Sequence, residues 1–250
     1  IMGTRGIPAC YGGFETFAEE LSTRLVKRGH KVTVYCRRGL EDDGAKSYRG
    51  VERVWTWTIR HKYLETPLHG LTSFIHALFR GFDVALVCNA ANSPFMWMLK
   101  LRGIPVFINV DGVERKRGKR NFLGRLWYRL GEICSVLFAN RIVADAGVIA
   151  DYYRRNYRVD PAVIGYGAEA SPVPAGKTLA QFGLKPSGYL LYVSRLEPEN
   201  NALGVIEAYR ELETAMPLLI VGDAPYAGSY KKKLREAADH RVLFTGFQFG

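Results

Sequence analysis

Short apolar runs alternate with amphipathic helical patterns along almost the whole chain. That rhythm restricts the fold to stacked βα units around parallel sheets, because each buried strand is followed by a helix that crosses back over the sheet. The periodicity predicts helices over 14–27, 67–79, 93–102, 121–140 and 148–156. Between them lie strands over 31–36, 51–59, 83–88, 104–110, 141–144 and 162–167. Pro172, Pro174, Gly176, Gly183, Pro186 and Gly188 then break the pattern. It restarts with strands over 189–193, 218–221 and 242–245 and helices over 200–212 and 226–238. The expected organisation is a doubly wound α/β domain over 1–170, a linker over 171–188, and a second, incomplete α/β domain over 189–250. Ile1 and Met2 are too few for a first strand, and nothing closes the sheet after 242–245. The chain is therefore expected to be part of a longer polypeptide.

Open α/β sheets bind ligands beyond the carboxyl ends of their strands. The first such place is the loop over 3–13, which ends in Gly12 and Gly13 just before a predicted helix. Tandem glycines leave no side chain between backbone N–H groups and a ligand, and a helix N-terminus adds partial positive charge. The loop therefore suits an anion or a polar, sugar-like group, with plain turn chemistry as the alternative. The spacing of Gly3, Gly6, Gly12 and Gly13 does not make a dinucleotide fingerprint.

Asp111 follows the apolar run 106–110 and precedes Gly112. A carboxylate projecting there can act as general base on a hydroxyl, although Asp-Gly is also an ordinary turn. Arg195 follows another strand end, and its planar guanidinium can bind two phosphate oxygens at once. The competing role for Arg195 is a surface ion pair with Glu197 or Glu199. Asp223 reads as a turn residue and no paired carboxylates stand at a strand end, so no metal is expected.

A net charge of +11 over 250 residues favours an anionic partner. No recognition helix, zinc ligand set or RNA-binding motif accompanies the charge, so nucleic acid is set aside. Lys116, Arg117, Lys119 and Arg120 run into the aromatic and leucine positions of the helix over 121–140, Trp127 among them. That composition suits an anionic membrane surface. Leu126, Leu130, Cys134 and Leu137 are expected to form the core face of the same helix. The four cysteines are widely spaced with no C-x-x-C pair, which fits a reducing cytoplasm. No apolar run reaches the ~18 residues that span a bilayer, and no secretory leader pattern is read.

Several segments together resemble a known family. They are GTRGIPACYGGFETF (3–17), VDGVERKRGKRN (110–121), VIGYGAE (163–169), YVSRLEPENN (192–201), LLIVGDAPY (218–226) and VLFTGF (242–247). In this order they resemble the family 4 glycosyltransferases of GT-B fold. The opening segment is similar to bacterial enzymes, often rhamnosyl- or glucosyltransferases, that build surface polysaccharides. The resemblance covers essentially the whole chain. It implies two Rossmann-like domains with parallel sheets and a cleft that takes a nucleotide-sugar donor, held mainly by the second domain. The acceptor, a lipid-linked glycan, falls mainly to the first.

By that resemblance Gly12 and Gly13 lie beside the donor diphosphate, and Arg195 clamps its phosphates. Asn200 or Asn201 stands where relatives carry a lysine. Asp111 stands where many have a histidine near the transferred sugar, with Glu15, Gly112, Glu114 and Arg115 toward the acceptor. An inverting displacement with Asp111 as base and a retaining ion-pair route both remain open. The resemblance implies no cofactor beyond the nucleotide-sugar substrate, and a peripheral place on the inner face of the plasma membrane. The glutamate, seven residues, glutamate motif of the second domain is absent, so the chain alone is expected to catalyse little. The alternatives are a nucleotide-sugar epimerase of similar fold and an inactive membrane-associated binding module.

Overall fold

A computed structural model describes residues 1–10, 12–39, 43–61, 63–110, 112, 122–168, 177–224 and 227–248. The chain divides into two compact units, Ile1–Gly167 and Ala168–Gly250.

In unit 1, β1 (Thr33–Arg37) pairs in parallel with β3 (Val51–Thr56), which also carries the short antiparallel β2 (Ser47–Tyr48). A second parallel set runs β4 (Ala85–Cys88), β5 (Val106–Val110), β6 (Arg141–Ala144), β7 (Ala162–Val163). Residues 1–2 join the two sets. Met2 bridges Val87 in parallel, and the Tyr35 N–H donates to the Ile1 carbonyl at 3.0 Å. From residues 1–2 the chain builds outward through β1 and β3, then returns to build the other side from β4 to β7. The reversal falls beside residues 1–2, which makes their carboxyl end the topological switch point of the sheet.

Strands buried on both faces read as continuous apolar runs. Val106, Ile108 and Val110 of β5, with Val87 of β4, are almost wholly buried in the core beneath α2 (Glu65–Leu78) and α5 (Gly147–Tyr157). α1 (Gly13–Lys27) contributes Ala18 to a smaller cluster with Val34, Cys36 and Val51. The helix expected over 93–102 is instead a 3-10 turn, Ala90–Phe95, followed by the short α3 (Trp97–Leu101). Pro94 lies inside that turn and lacks the N–H that an α-helix would use.

A second departure concerns α4 (Phe122–Phe138). Cys134 is buried as expected, but Leu126, Leu130 and Leu137 face outward rather than forming the core face. The inner face is built from Tyr128, Gly131, Glu132, Cys134 and Ser135. Periodicity marked an apolar stripe correctly and assigned it to the wrong side.

Unit 2 has a parallel sheet in the order β10 (Val242–Gly246), β9 (Leu218–Val221), β8 (Leu190–Val193). α7 (Ala202–Arg210) and α8 (Gly228–Ala237) pack on it through Ile206, Ile220 and Leu234. The segment read as linker carries a short helix, α6 (Lys177–Gln181). Both units are therefore α/β with parallel-strand sheets.

Candidate functional site

The loop over 3–13 leaves residues 1–2 at the switch point and enters α1. Its four glycines divide into two kinds. A Cβ on Gly3 would stand 2.2 Å from the Cys88 carbonyl oxygen, and one on Gly6 would stand 2.7 Å from the Cys36 side chain. Both have positive φ, 94° and 125°, so packing and backbone alike demand glycine. Gly12 and Gly13 differ. Among the described residues, a Cβ on Gly13 would meet nothing within 4 Å, and one on Gly12 only the Glu15 carboxylate at 3.4 Å. The first pair presses the loop onto β1 and β4, while the second leaves the start of α1 open. Among the described residues no side chain caps this helix start.

Two carboxylates of α1, four residues apart and so on one helix face, hold the loop backbone. Glu15 Oε1 accepts the Arg5 N–H at 2.8 Å, and Glu19 Oε2 accepts the Ala9 N–H at 2.6 Å. Glu19 Oε1 also accepts the Tyr48 hydroxyl at 2.8 Å. Sequence reasoning placed Glu15 toward the acceptor. Here its carboxylate is buried and committed to the loop. Glu19 escaped notice, although its spacing from Glu15 was visible.

Arginines brace the loop from the other side. Arg37 at the end of β1 pairs with buried Glu65 at 2.8 Å and reaches Thr66 at 3.2 Å, while Arg5 lies 3.8 Å from the same Glu65. Burial pulls the Arg37 guanidinium below its ordinary pKa, and the Glu65 charge opposes that shift. Arg53 donates to the Ile7 carbonyl at 3.2 Å and pairs with Asp43 at 2.9 Å. A small cavity of about 70 Å³ lies beside this network, lined by Arg5, Ile7, Cys10, Arg37 and Trp55 among others.

Along the same carboxyl edge, Asn109 donates through Nδ2 to the Tyr166 hydroxyl at 3.1 Å, and the Tyr166 ring lies 5.2 Å from Phe17 of α1. This bond turns Asn109 Oδ1 the other way, where it is buried without a hydrogen bond among the described residues. Asp145 Oδ1, just past the neighbouring β6, is likewise buried and without a hydrogen bond among them. Two orphan acceptors on adjacent strand ends suit the hydroxyl groups of a sugar. Neither was singled out as a leading residue from sequence, because a buried Asn in an apolar strand carries no motif. Gly112 is half-buried with φ +59°. Asp111, Glu114, Arg115, Lys116, Arg117, Lys119 and Arg120 lie outside the described residues. Trp127, assigned to the membrane surface, is half-buried and its indole donates to the Ala91 carbonyl at 3.1 Å.

In unit 2, Arg195 follows β8. Three donors converge on its carbonyl oxygen: Asn200 Nδ2 at 2.7 Å, the Glu197 N–H at 2.7 Å and Ser194 Oγ at 3.0 Å. Its guanidinium, half-exposed, makes no hydrogen bond or ion pair with any described residue. The proposed surface pair with Glu197 or Glu199 does not form. Gly222 closes the neighbouring turn so tightly that a Cβ would stand 1.8 Å from the Ser194 carbonyl oxygen. Asp223 accepts the Ala224 N–H and the Lys231 ammonium, each at 2.7 Å. Burial pushes the Asp223 carboxyl up, but Lys231 and the amide outweigh it and hold its pKa below the usual range. Among the described residues no group of three His, Cys, Asp or Glu side chains is arranged to hold a metal ion.

The sequence profile of Glycosyltransferase Family 4 matches residues 11–169. No curated protein matches the sequence. The sucrose-phosphate synthase of Thermosynechococcus elongatus is similar in structure, with a TM-score of 0.76 at 15% identity over 99% of this chain and 69% of that one. Anabaena HepE, in complex with UDP and glucose, gives a TM-score of 0.76 at 15% identity over 99% of this chain and 68% of that one. A putative UDP-N-acetylglucosamine 2-epimerase from Listeria monocytogenes gives 0.58 at 11% identity, covering 92% and 65%. At these identities the likeness is one of GT-B architecture.

Proposed function

Because the chain belongs to Glycosyltransferase Family 4, we propose that it moves a sugar from a nucleoside-diphosphate donor onto a lipid-linked glycan in bacterial surface-polysaccharide synthesis. The observation that carries this reading is the start of α1, where a Cβ on Gly13 would meet none of the described residues within 4 Å, at the switch point of the sheet. Bare amides and a helix N-terminus there suit the charge of a diphosphate or of a departing phosphate.

Each unit takes its own share of the chemistry. In unit 2 the Arg195 guanidinium binds the donor phosphates, and Asn200 holds the backbone from which it projects. In unit 1, Gly12 and Gly13 serve the diphosphate and the transferred sugar. Asn109 and Asp145 accept acceptor hydroxyls, and Gly112, Glu114 and Arg115 are assigned to the acceptor as well. The acceptor oxygen bonds to the anomeric carbon as the bond from that carbon to the diphosphate oxygen breaks. Asp111 takes the hydroxyl proton, and the nucleoside diphosphate leaves with the bonding pair. Arginine and helix N-termini neutralise that leaving charge without a metal. The enzyme works on the cytoplasmic face of the plasma membrane, where the basic block over 115–120 meets anionic headgroups.

Incubation with a panel of nucleotide sugars and lipid-linked acceptors, read by mass spectrometry, tests this. The expected product is an acceptor heavier by one sugar together with free nucleoside diphosphate. Donor conversion that needs no acceptor would favour the epimerase instead, and donor binding without sugar transfer by the full-length polypeptide would favour the binding module.

A further inference from the structure

We propose that the outward face of α4 docks the protein on an anionic bilayer by inserting its apolar side chains among the lipids. This deepens the function proposed above, since it rests on a membrane-held acceptor. α4 is inverted relative to an ordinary surface helix. The face turned to the protein is small or polar. A Cβ on Gly131 would stand 2.3 Å from the Ala90 carbonyl oxygen, and Ser135 donates to the Gly131 carbonyl at 2.8 Å. On the same inner side Glu132 accepts the Tyr152 hydroxyl at 2.9 Å and the Tyr157 hydroxyl at 2.5 Å.

The opposite face carries Phe122, Leu126, Leu130, Ile133 and Leu137, which are 71%, 56%, 44%, 39% and 62% exposed. Steps of three and four residues put all five on one stripe, about 22 Å long at ~1.5 Å per residue. Single exposed leucines need no explanation, but a continuous stripe marks an interaction surface.

Charge selects the occupant. Arg125 and Arg129 are exposed along one margin of the stripe, and the whole chain carries +11. An anionic lipid surface satisfies both the cations and the apolar stripe, whereas a second copy would bring like charges together. An apolar face with a cationic margin lies in the plane of the interface. Among the described residues no helix is long and apolar enough to cross the membrane. The docking face is therefore the stripe itself, not Trp127, whose indole is turned to the protein.

Flotation of the full chain with phosphatidylglycerol–phosphatidylethanolamine vesicles, and with neutral phosphatidylcholine vesicles, tests the proposal. Wild type should float with the anionic vesicles and keep part of that binding at high salt. The double variant Leu126→Glu/Leu130→Glu should bind at least tenfold less at every salt concentration, with an unchanged melting temperature. Arg125→Gln/Arg129→Gln should lose only the salt-sensitive part. Flotation of Leu126→Glu/Leu130→Glu equal to wild type would overturn the proposal. So would a wild-type dimer that the same variant dissociates. Flotation needs no substrate, so an inactive protein that floats sinks only the function above, and an active one that stays in solution sinks only the docking.

Discussion

The loop over 3–13 in unit 1 and the loop over 194–201 in unit 2 both sit at the carboxyl edge of a parallel sheet, yet they spend their polar groups in opposite ways. In unit 1 the arginines are used up. Arg37 and Arg5 share Glu65, and Arg53 takes Asp43 and the Ile7 carbonyl, while among the described residues no side chain caps the start of α1. In unit 2 the backbone is used up. Three donors fix the Arg195 carbonyl, and the guanidinium has no partner among the described residues. A charge held in a buried pair contributes to shape. A charge left unpaired on a fixed backbone is available to a ligand.

That contrast is most easily broken at Glu65. Glu65→Gln leaves buried Arg37 without its counter-charge, and such a loss costs about 3–5 kcal/mol. The expected outcome is a large fall in the denaturant midpoint of unit 1. A stability equal to wild type would mean that the pair does not brace the loop.

Gly3→Ala comes next. Its Cβ would stand 2.2 Å from a carbonyl oxygen at φ +94°, so a loss of about 3 kcal/mol is expected from strain and overlap. Differential scanning calorimetry reads it directly.

Buried His69 sharpens the comparison through pH. Burial and then the nearby Arg37 charge lower its pKa from the ordinary 6.5 to about 3. The folded protein therefore holds this imidazole neutral where the unfolded chain protonates it. Stability is full above pH 6.5 and falls as pH drops toward 3, at about 1 kcal/mol per pH unit. Urea titrations across that window should show the slope, and His69→Gln should flatten it.

The smallest effect is at Gly13. With open space around it, Gly13→Ala should change stability by only about 0.5 kcal/mol, in the favourable direction. The same methyl group should weaken nucleoside-diphosphate binding, and a variant that binds normally would return Gly13 to ordinary turn chemistry.

Much of the fold was legible because parallel strands buried on both sides leave unbroken apolar runs such as 106–110. The switch point was less so, since two residues carry no periodicity and Met2 finds its place only by pairing with Val87. Of the site, the open glycines were readable from their place before a helix. The bracing set of Arg37, Glu65 and Glu19 was not, because ion pairs formed across 28 residues leave no local pattern. α4 shows the limit most clearly. A period near 3.6 reveals that one face is apolar, but what covers that face depends on neighbours far away in sequence.

Isothermal titration of UDP, GDP and dTDP into wild type and Arg195→Ala tests the central claim most directly. The guanidinium has no partner to lose among the described residues, so the variant should melt like wild type. A charge-assisted bond to phosphate contributes about 2–3 kcal/mol, and the diphosphate that wild type binds should bind the variant roughly 30-fold to 150-fold more weakly. Equal affinity in the two proteins would contradict the account.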